Sequence, residues 1–473
     1  MDEPSLKRVN VTVDQIKLIG LDKTNETLVR NHVNFIKESV NFHDLLKNLS
    51  LAKDDLLSFG VFSSIQCLVD YNKEKDVYDI SFNIDESKQI NGSMNFTTSS
   101  DIRANAGFNG MFRNMFGKAE NLSFYQTYNT DRYLESKFVF SKPSEKTPNL
   151  KYLLSLSKSV LDGHWSKFRL HSVNLIPEVQ YRTLLGHHQI FGTLCCRETI
   201  VQDITAPLSI REESGNQMKN SLSYIFKMDT KPAELYPETG HTFKLRTDVS
   251  ILTPGDISKL SDRDVHPSED KAILARIKAR FSKSFGISQN FCGEFLSSFG
   301  LIHSIYGHKV PIADRFFLGG PLTLRGFSNC GVGPMARQLA PFGSNLTKSF
   351  NESRLSNNPI GDCGFWLSSL HIYSRLPYFS KDPNSIASLF RIQGFLSAGS
   401  TFQDPLASMH NGVSVTDSLR NIISLPRYSA GIGLSLKLGG SIRLELNYCL
   451  PLKFNQTDFS VSGIQYGFGL IYV

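Results

Sequence analysis

From about residue 90 to the C-terminus, apolar side chains recur at every second position. Ile442, Leu444, Leu446, Tyr448 and Leu450 interleave with Arg443, Glu445, Asn447 and Cys449. Ala430, Ile432, Leu434, Leu436 and Leu438 interleave with Gly431, Gly433, Ser435, Lys437 and Gly439. Ala275, Ile277, Ala279 and Phe281 alternate with Arg276, Lys278 and Arg280, and Phe243 and Leu245 with Lys244 and Arg246. A period of two means strands with two unlike faces, one apolar and one polar and mostly basic. In a soluble sandwich the apolar faces pack together, whereas in a membrane barrel they meet lipid and the polar faces line a wet lumen. Length favours the barrel. The runs cover ~9–12 residues, as a tilted membrane strand requires, against ~5–6 for an ordinary strand.

Composition removes the competing classes. At 40% hydrophobic and 11% aromatic residues, the chain is too apolar to be disordered. It has no run of ~18 apolar residues, so a helical membrane protein is excluded. Seven cysteines in 473 residues, with no Cys-x-x-Cys pair, are too sparse for a disulfide scaffold or a zinc ribbon, and free thiols are expected. The N-terminus, MDEPSLKRVN, lacks a secretory apolar core and an Arg/Ser-rich presequence. The expectation is an intracellular protein, or one whose address lies elsewhere in the chain.

The first 90 residues have a different period. Val11–Ile19 reads as a strand closed by Gly20. Val29, Val33, Ile36 and Val40 recur at helical spacing behind a Thr24/Asn25 cap, and Leu45, Leu49, Ala52 and Leu56 repeat the pattern up to Gly60. Residues 61–70 and 77–85 then read as strands around a polar turn at 72–76. The order β-α-α-β-β describes a small α+β domain over residues 1–90. Residues 91–473 read as about 16 strands, near 92–99, 103–113, 119–128, 132–141, 150–158, 165–175, 186–200, 218–229, 240–250, 272–284, 289–301, 361–376, 389–400, 427–438, 440–451 and 461–473. An even number of antiparallel strands closes a barrel without free edges. The 302–360 connection stands out, since a loop that long within a meander is usually functional. Charge divides in the same way. Residues 1–90 hold 11 basic and 15 acidic residues, and 91–473 hold 40 and 29, so the net +7 combines an acidic domain with a basic barrel.

That loop carries Phe317-Leu-Gly319-Gly320 and Leu324-Arg325-Gly326-Phe327, between the eleventh and twelfth strands. The motif and its place resemble the Arg-Gly-Phe/Tyr loop of the outer-membrane protein 85 superfamily. The resemblance extends over the chain, with 1–90 looking like one polypeptide-transport-associated (POTRA) domain and 91–473 like the family's barrel. Gln465-x-Gly467-x-x-Leu470-x-Tyr472 resembles the mitochondrial β-signal: a polar residue, a glycine and two hydrophobics on alternate positions. With one POTRA-like unit and no secretory signal, the mitochondrial branch is the nearer resemblance.

The resemblance implies a transmembrane antiparallel barrel in the mitochondrial outer membrane, its POTRA-like domain in the intermembrane space. It implies a loop folded back into the lumen, where Arg325 braces the wall. The family's wall motif matches Phe395-Leu-Ser397-Ala-Gly399, with Ser397 where bacterial members have Asp. A second acidic position falls near His371. With both carboxylates missing there, Ser397 and backbone carbonyls are expected to hold the guanidinium as a neutral anchor. The first strand (Gly92, Met94, Phe96, Thr98) and the last (Tyr466, Phe468, Leu470) would form a weak lateral seam that pairs with a client's C-terminal strand. The implied function is insertion of β-barrel precursors, alongside accessory subunits of a membrane assembly complex. The alternative is a polypeptide-conducting pore of the same superfamily.

Other chemistries find little support, and neither enzyme activity nor a cofactor is expected. His187 and His188 point to opposite faces of a strand and cannot share a metal. The acidic group Asp262, Asp264, Glu269 and Asp270 lacks a calcium-loop glycine. Gly319-Gly320 reads as a tight turn, because no phosphate-loop lysine follows it. The basic lumen carries no nucleic-acid motif.

Overall fold

The computed structural model describes residues 10–97, 105–129, 134–147, 149–203, 205–232, 235–254, 271–288, 290–307, 310–337, 357–376, 389–410, 414, 425–438 and 442–469. At the N-terminus, β1 (Val13–Ile19) runs parallel to β3 (Val77–Glu86), which pairs antiparallel with β2 (Phe62–Asn72). Two helices, α1 (Glu26–Val33) and α2 (Phe42–Ser58), flank a 3-10 turn at Asn34–Glu38. Asn25 caps α1 by accepting from the Thr27 amide at 2.9 Å, and Asn41 caps α2 by accepting from the Asp44 amide at 2.8 Å. Thr24 instead donates its hydroxyl to Glu86 at 2.6 Å. The helical stripes Val29, Val33, Ile36, Leu45, Ala52 and Leu56 are fully buried in one cluster with Ile80 and Phe82. Val40 breaks the expected stripe. It lies beyond the 3-10 turn, just before the second cap, and is 69% exposed. Gly20 follows β1 with φ +91°, where a Cβ would stand 2.2 Å from the Ile84 carbonyl oxygen, so the turn requires glycine.

The rest of the chain builds one 16-stranded antiparallel sheet in unbroken sequence order. Its strands are β4 (Ile90–Thr97), β5 (Asn105–Arg113), β6 (Asn121–Asn129), β7 (Leu134–Pro143), β8 (Leu150–Gly163), β9 (Phe168–Arg182), β10 (His187–Val201), β11 (Gly215–Asp229), β12 (His241–Pro254), β13 (Ala272–Ser288) and β14 (Phe291–Tyr306). A short hairpin, β15 (Met335–Arg337) with β16 (Asn357–Pro359), lies inside the long loop. The sheet resumes with β17 (Gly364–Arg375), β18 (Phe390–Phe402), β19 (Arg427–Leu438), β20 (Ile442–Lys453) and β21 (Gly463–Gly469).

Each expected strand is present, but several run longer than the sequence pattern suggests. β9 continues through Pro177, which sits opposite Leu154 in register. A proline interrupts the sequence signal more than it interrupts a ladder held by its neighbours. Among the described residues, strand length rises from 8 in β4 to 17 in β13 and falls to 7 in β21.

Side chains sort by face as the alternation requires. Tyr152, Leu154 and Leu156 are exposed outward, while Ser155 and Ser157 between them are buried inward. Among the described residues no helix is long and apolar enough to cross a membrane. The barrel spans with strands, and their outward apolar face is the lipid-facing surface.

The N-terminal unit is docked against hairpins at the barrel end opposite the long loop. The Asn25 amide donates to the Gly117 carbonyl at 2.7 Å, and Asn121 Nδ2 donates to the Phe59 carbonyl at 2.6 Å. His32 is fully buried, with one ring nitrogen 2.6 Å from Asp55 and the other 2.8 Å from the Ser144 carbonyl. Asp55 also accepts from the Asn149 amide at 2.8 Å. At the rim, Lys142 and Lys118 flank Glu145 and hold its carboxyl down at about 2.

Candidate functional site: the inward loop, its wall and the strand ends

The described parts of the connection between β14 and β17 lie against the inner face of the sheet. Leu318, Leu324, Phe327 and Val332 are buried together against Phe365 and Leu367 of β17. Gly319-Gly320 forms a tight turn, closed by the Thr323 amide donating to the Gly320 carbonyl at 3.1 Å. Leu318 packs over Gly399, where a Cβ would stand 3.3 Å away. Gly326 has φ +82° and faces Ser429 and Pro451, its virtual Cβ 3.3 Å from the Ser429 side chain. A larger residue there would be strained in backbone and would lift the motif off the wall.

Arg325 is completely buried and donates from Nη2 to Glu445 on β20 at 2.8 Å. The anchor is therefore an ion pair, not the neutral contact expected from Ser397. Phe395 lies under the guanidinium, 5.1 Å from its carbon to the ring centre, a cation–π contact. Asn447 donates to Glu445 at 2.9 Å, and Gln393 donates to Asn447. The charge thus sits in a buried polar chain across β18 and β20. Ser397 accepts from Ser369 at 2.9 Å, and the buried His371 stacks on Tyr373. Both matched positions line the same wall. Gly431 and Gly433 on β19 leave the room that Phe395 and Asn447 fill.

The loop has further anchors that the sequence reading missed. Asp314 accepts from Arg197 of β10 at 2.7 Å and from Lys219 of β11. Arg315 pairs with Glu213. The neighbouring β20–β21 loop supplies Asp458, which is bonded to Arg427 at 2.9 Å and accepts from the Gly333 amide at 3.3 Å. In the order of the sheet, β10 and β11 are the seventh and eighth strands and β20 is the fifteenth. One loop reaches both because the sheet is rolled around it.

Burial pushes the carboxyl of Asp362, at the loop's root, up to about 6, against the opposing pull of bonds from Cys363 and Thr401 and of nearby arginines. A raised folded value favours the protonated form. The stability it contributes is complete below the usual carboxylate range and is lost as pH rises through about 6. Asp362→Asn should therefore make the barrel more heat-resistant than the parent above about pH 7, with the gain vanishing below about pH 5. Thermal unfolding of both forms across that range is the check.

The last strand is tied to the loop through its expected signal residue. Gln465 is buried, accepts from the Gly326 amide at 3.0 Å and donates to the Phe327 carbonyl at 3.3 Å. Gly467 also faces inward, while Ile464 and Tyr466 face out at 69% and 47% exposure. At the other end of the sheet, Gly92 and Met94 are exposed. The side chains of Phe96 and Phe468, and residues Thr98, Leu470 and Tyr472, lie outside the described set. Among the described residues, β4 pairs with β5 and β21 with β20.

A family model described as the Omp85 superfamily domain matches residues 114–472. The chain belongs to the Omp85 superfamily. Among curated proteins, this Omp85 chain is similar to "Sorting and assembly machinery component 50 homolog B" of Xenopus laevis, 27% identical over 98% of this chain and 91% of that protein. The human "Sorting and assembly machinery component 50 homolog" is 26% identical over the same shares. Among solved structures, the fold is similar to BamA from Haemophilus ducreyi lacking POTRA domains 1–3. The TM-score is 0.69 at 15% identity, covering 97% of this chain and 84% of that one. The shared fold is a large antiparallel β-barrel preceded by an N-terminal α+β unit.

Proposed function

We propose that this chain folds and inserts β-barrel precursors into the mitochondrial outer membrane through a lateral seam between β4 and β21. In this reading, residues 1–90 are a POTRA domain in the intermembrane space and residues 91–473 are the barrel. Accessory subunits of a sorting and assembly complex surround it. The names of its relatives support the setting. The observation that supports the mechanism is the sheet order: β21 and β4 are its two ends, and among the described residues each is paired with its neighbour in sequence, β20 and β5.

Opening there exposes main-chain donors and acceptors that a client's C-terminal strand can pair with. An unpaired edge in lipid is costly, so exchange of one edge for another is the low-barrier route. The step needs no covalent chemistry. The loop supports insertion over threading through the lumen, since its two buried anchors sit on opposite walls and hold it across the channel.

Cysteines placed at Met94 and Phe468 should cross-link to the C-terminal strand of an arriving precursor. Cross-links confined to a lumen position such as Arg443 would instead support the polypeptide-conducting pore. Depletion in cells should block assembly of mitochondrial β-barrels while helical outer-membrane proteins still insert, and equal loss of both classes would count against the proposal.

A further inference from the structure

The inner face of β11, β12 and β13 carries cations in adjacent register. Lys227 sits directly opposite Lys244, Lys244 opposite Arg280, and Arg246 opposite Lys278. Like charges directly opposite one another on a sheet are destabilising. Asp248 offsets part of this, bonding Arg246 at 2.9 Å and Arg276 at 2.8 Å. Lys227 pairs with Asp229 at 3.2 Å. No carboxylate among the described residues pairs with Lys244, Lys278 or Arg280.

The next strand places no acid directly opposite them, and its Glu294 is bonded to Lys231 at 2.6 Å. Arg280 faces Ser298 and Lys278 faces Gly300 on β14. Among the described residues, Lys278 is compensated by the Phe365 ring, 5.6 Å from its ammonium. Among the described loop residues, Asp314 is already paired with Arg197 and Lys219, and Arg325 with Glu445.

A fixed excess of one sign in a water-filled space with low-dielectric walls focuses the field and concentrates counter-ions. We propose that this wall is an anion site and that the lumen conducts small inorganic anions in preference to cations. Lys244, Lys278 and Arg280 set the selectivity. Anions passing beside the loop neutralise the like-charge rows that the fold leaves unpaired. This activity is separate from precursor insertion, which uses none of these three residues.

The test is conductance of the purified full-length chain in a neutral-lipid planar bilayer under an asymmetric KCl gradient. The expected reversal potential has the sign of chloride permeation, with a preference over potassium on the order of tenfold. Combined Lys244→Glu, Lys278→Glu and Arg280→Glu should invert the sign, and the corresponding glutamine variants should bring it close to zero. Because the glutamine set removes repulsion, it keeps the experiment decisive if the glutamate set fails to fold. A parent channel that prefers potassium, shows no preference or does not conduct overturns the proposal. So does a preference that survives in the glutamine variants. Precursor assembly by the same variants reports on insertion independently.

Discussion

Glu445→Ala should release the Arg-Gly-Phe motif from the wall and destabilise the barrel by ~3–5 kcal/mol, the range for breaking one side of a buried pair. The argument is desolvation. Arg325 is 0% exposed and Glu445 1%, so truncating the carboxylate removes the anionic acceptor of a guanidinium held in a dry site. Glu445→Gln should cost less, since an amide oxygen still accepts from Nη2. Arg325→Met combined with Glu445→Leu should cost less than the two single changes added together, because neither charge is then stranded. Denaturant midpoints of the four proteins measure the cycle, and protease cleavage within 310–337 reports the freed loop. A Glu445→Ala midpoint that matches the parent would remove the ion pair as an anchor.

The location of this anchor shows how far the sequence could be read. Alternation set each strand's existence because one face meets lipid along its whole length, and that constraint is local. Strand ends were less legible. Pro177 interrupts the pattern within β9, but the ladder to β8 runs through it and the ladder to β10 skips two pairs there and resumes at Leu175. Val40 fits a helical spacing, but the chain leaves the helix at Val33 and caps again at Asn41. The partner of Arg325 was not legible, because it depends on how deep a loop sits against strands more than a hundred residues away. Ser397 occupies the row with Ser429 and Pro451, whereas Glu445 lies three rows further in, beside Ser435. The acid is still on the wall, but on a different strand and at a different depth. Its signal was present as the lone carboxylate on the inward face of β20, among Asn447 and Cys449. Only the register could show that it meets Arg325.

The geometry also links the loop to the last strand. Gln465 belongs to the last strand, yet its side chain is held by the backbone of Gly326 and Phe327. If β21 swings away from β4, these two bonds must break or the motif must follow. The position that resembles a targeting signal therefore also serves as a structural clasp. A client strand that offered its own polar residue at this position could replace Gln465 on the loop backbone, and the loop would then favour exchange over simple opening.

Asp314→Ala should have an effect of the same size as Glu445→Ala, on the opposite wall. Asp314 is the charge partner of both Arg197 and Lys219 among the described residues, at 6% and 7% exposure for Asp314 and Arg197. Those cations hold its carboxyl well below the usual range. Its loss leaves two cations on adjacent strands facing an emptied acceptor, at ~3–5 kcal/mol, while Asp314→Asn should keep part of the hydrogen bonding. The informative protein is the double variant. The two anchors lie about half the sheet apart, beyond the ~7–10 Å over which substitutions couple directly, so their stability costs should add. Loop position should not follow the same rule. With either anchor intact the loop keeps a buried ion pair to one wall, and with both removed it is left with the Arg315–Glu213 pair, the Gln465 and Asp458 bonds and its apolar contacts. Precursor assembly should therefore fall partially in each single variant and collapse in the double, and loop cleavage should show the same step. Assembly that declines in simple proportion to stability would mean that the loop does not act as a strut between the two walls.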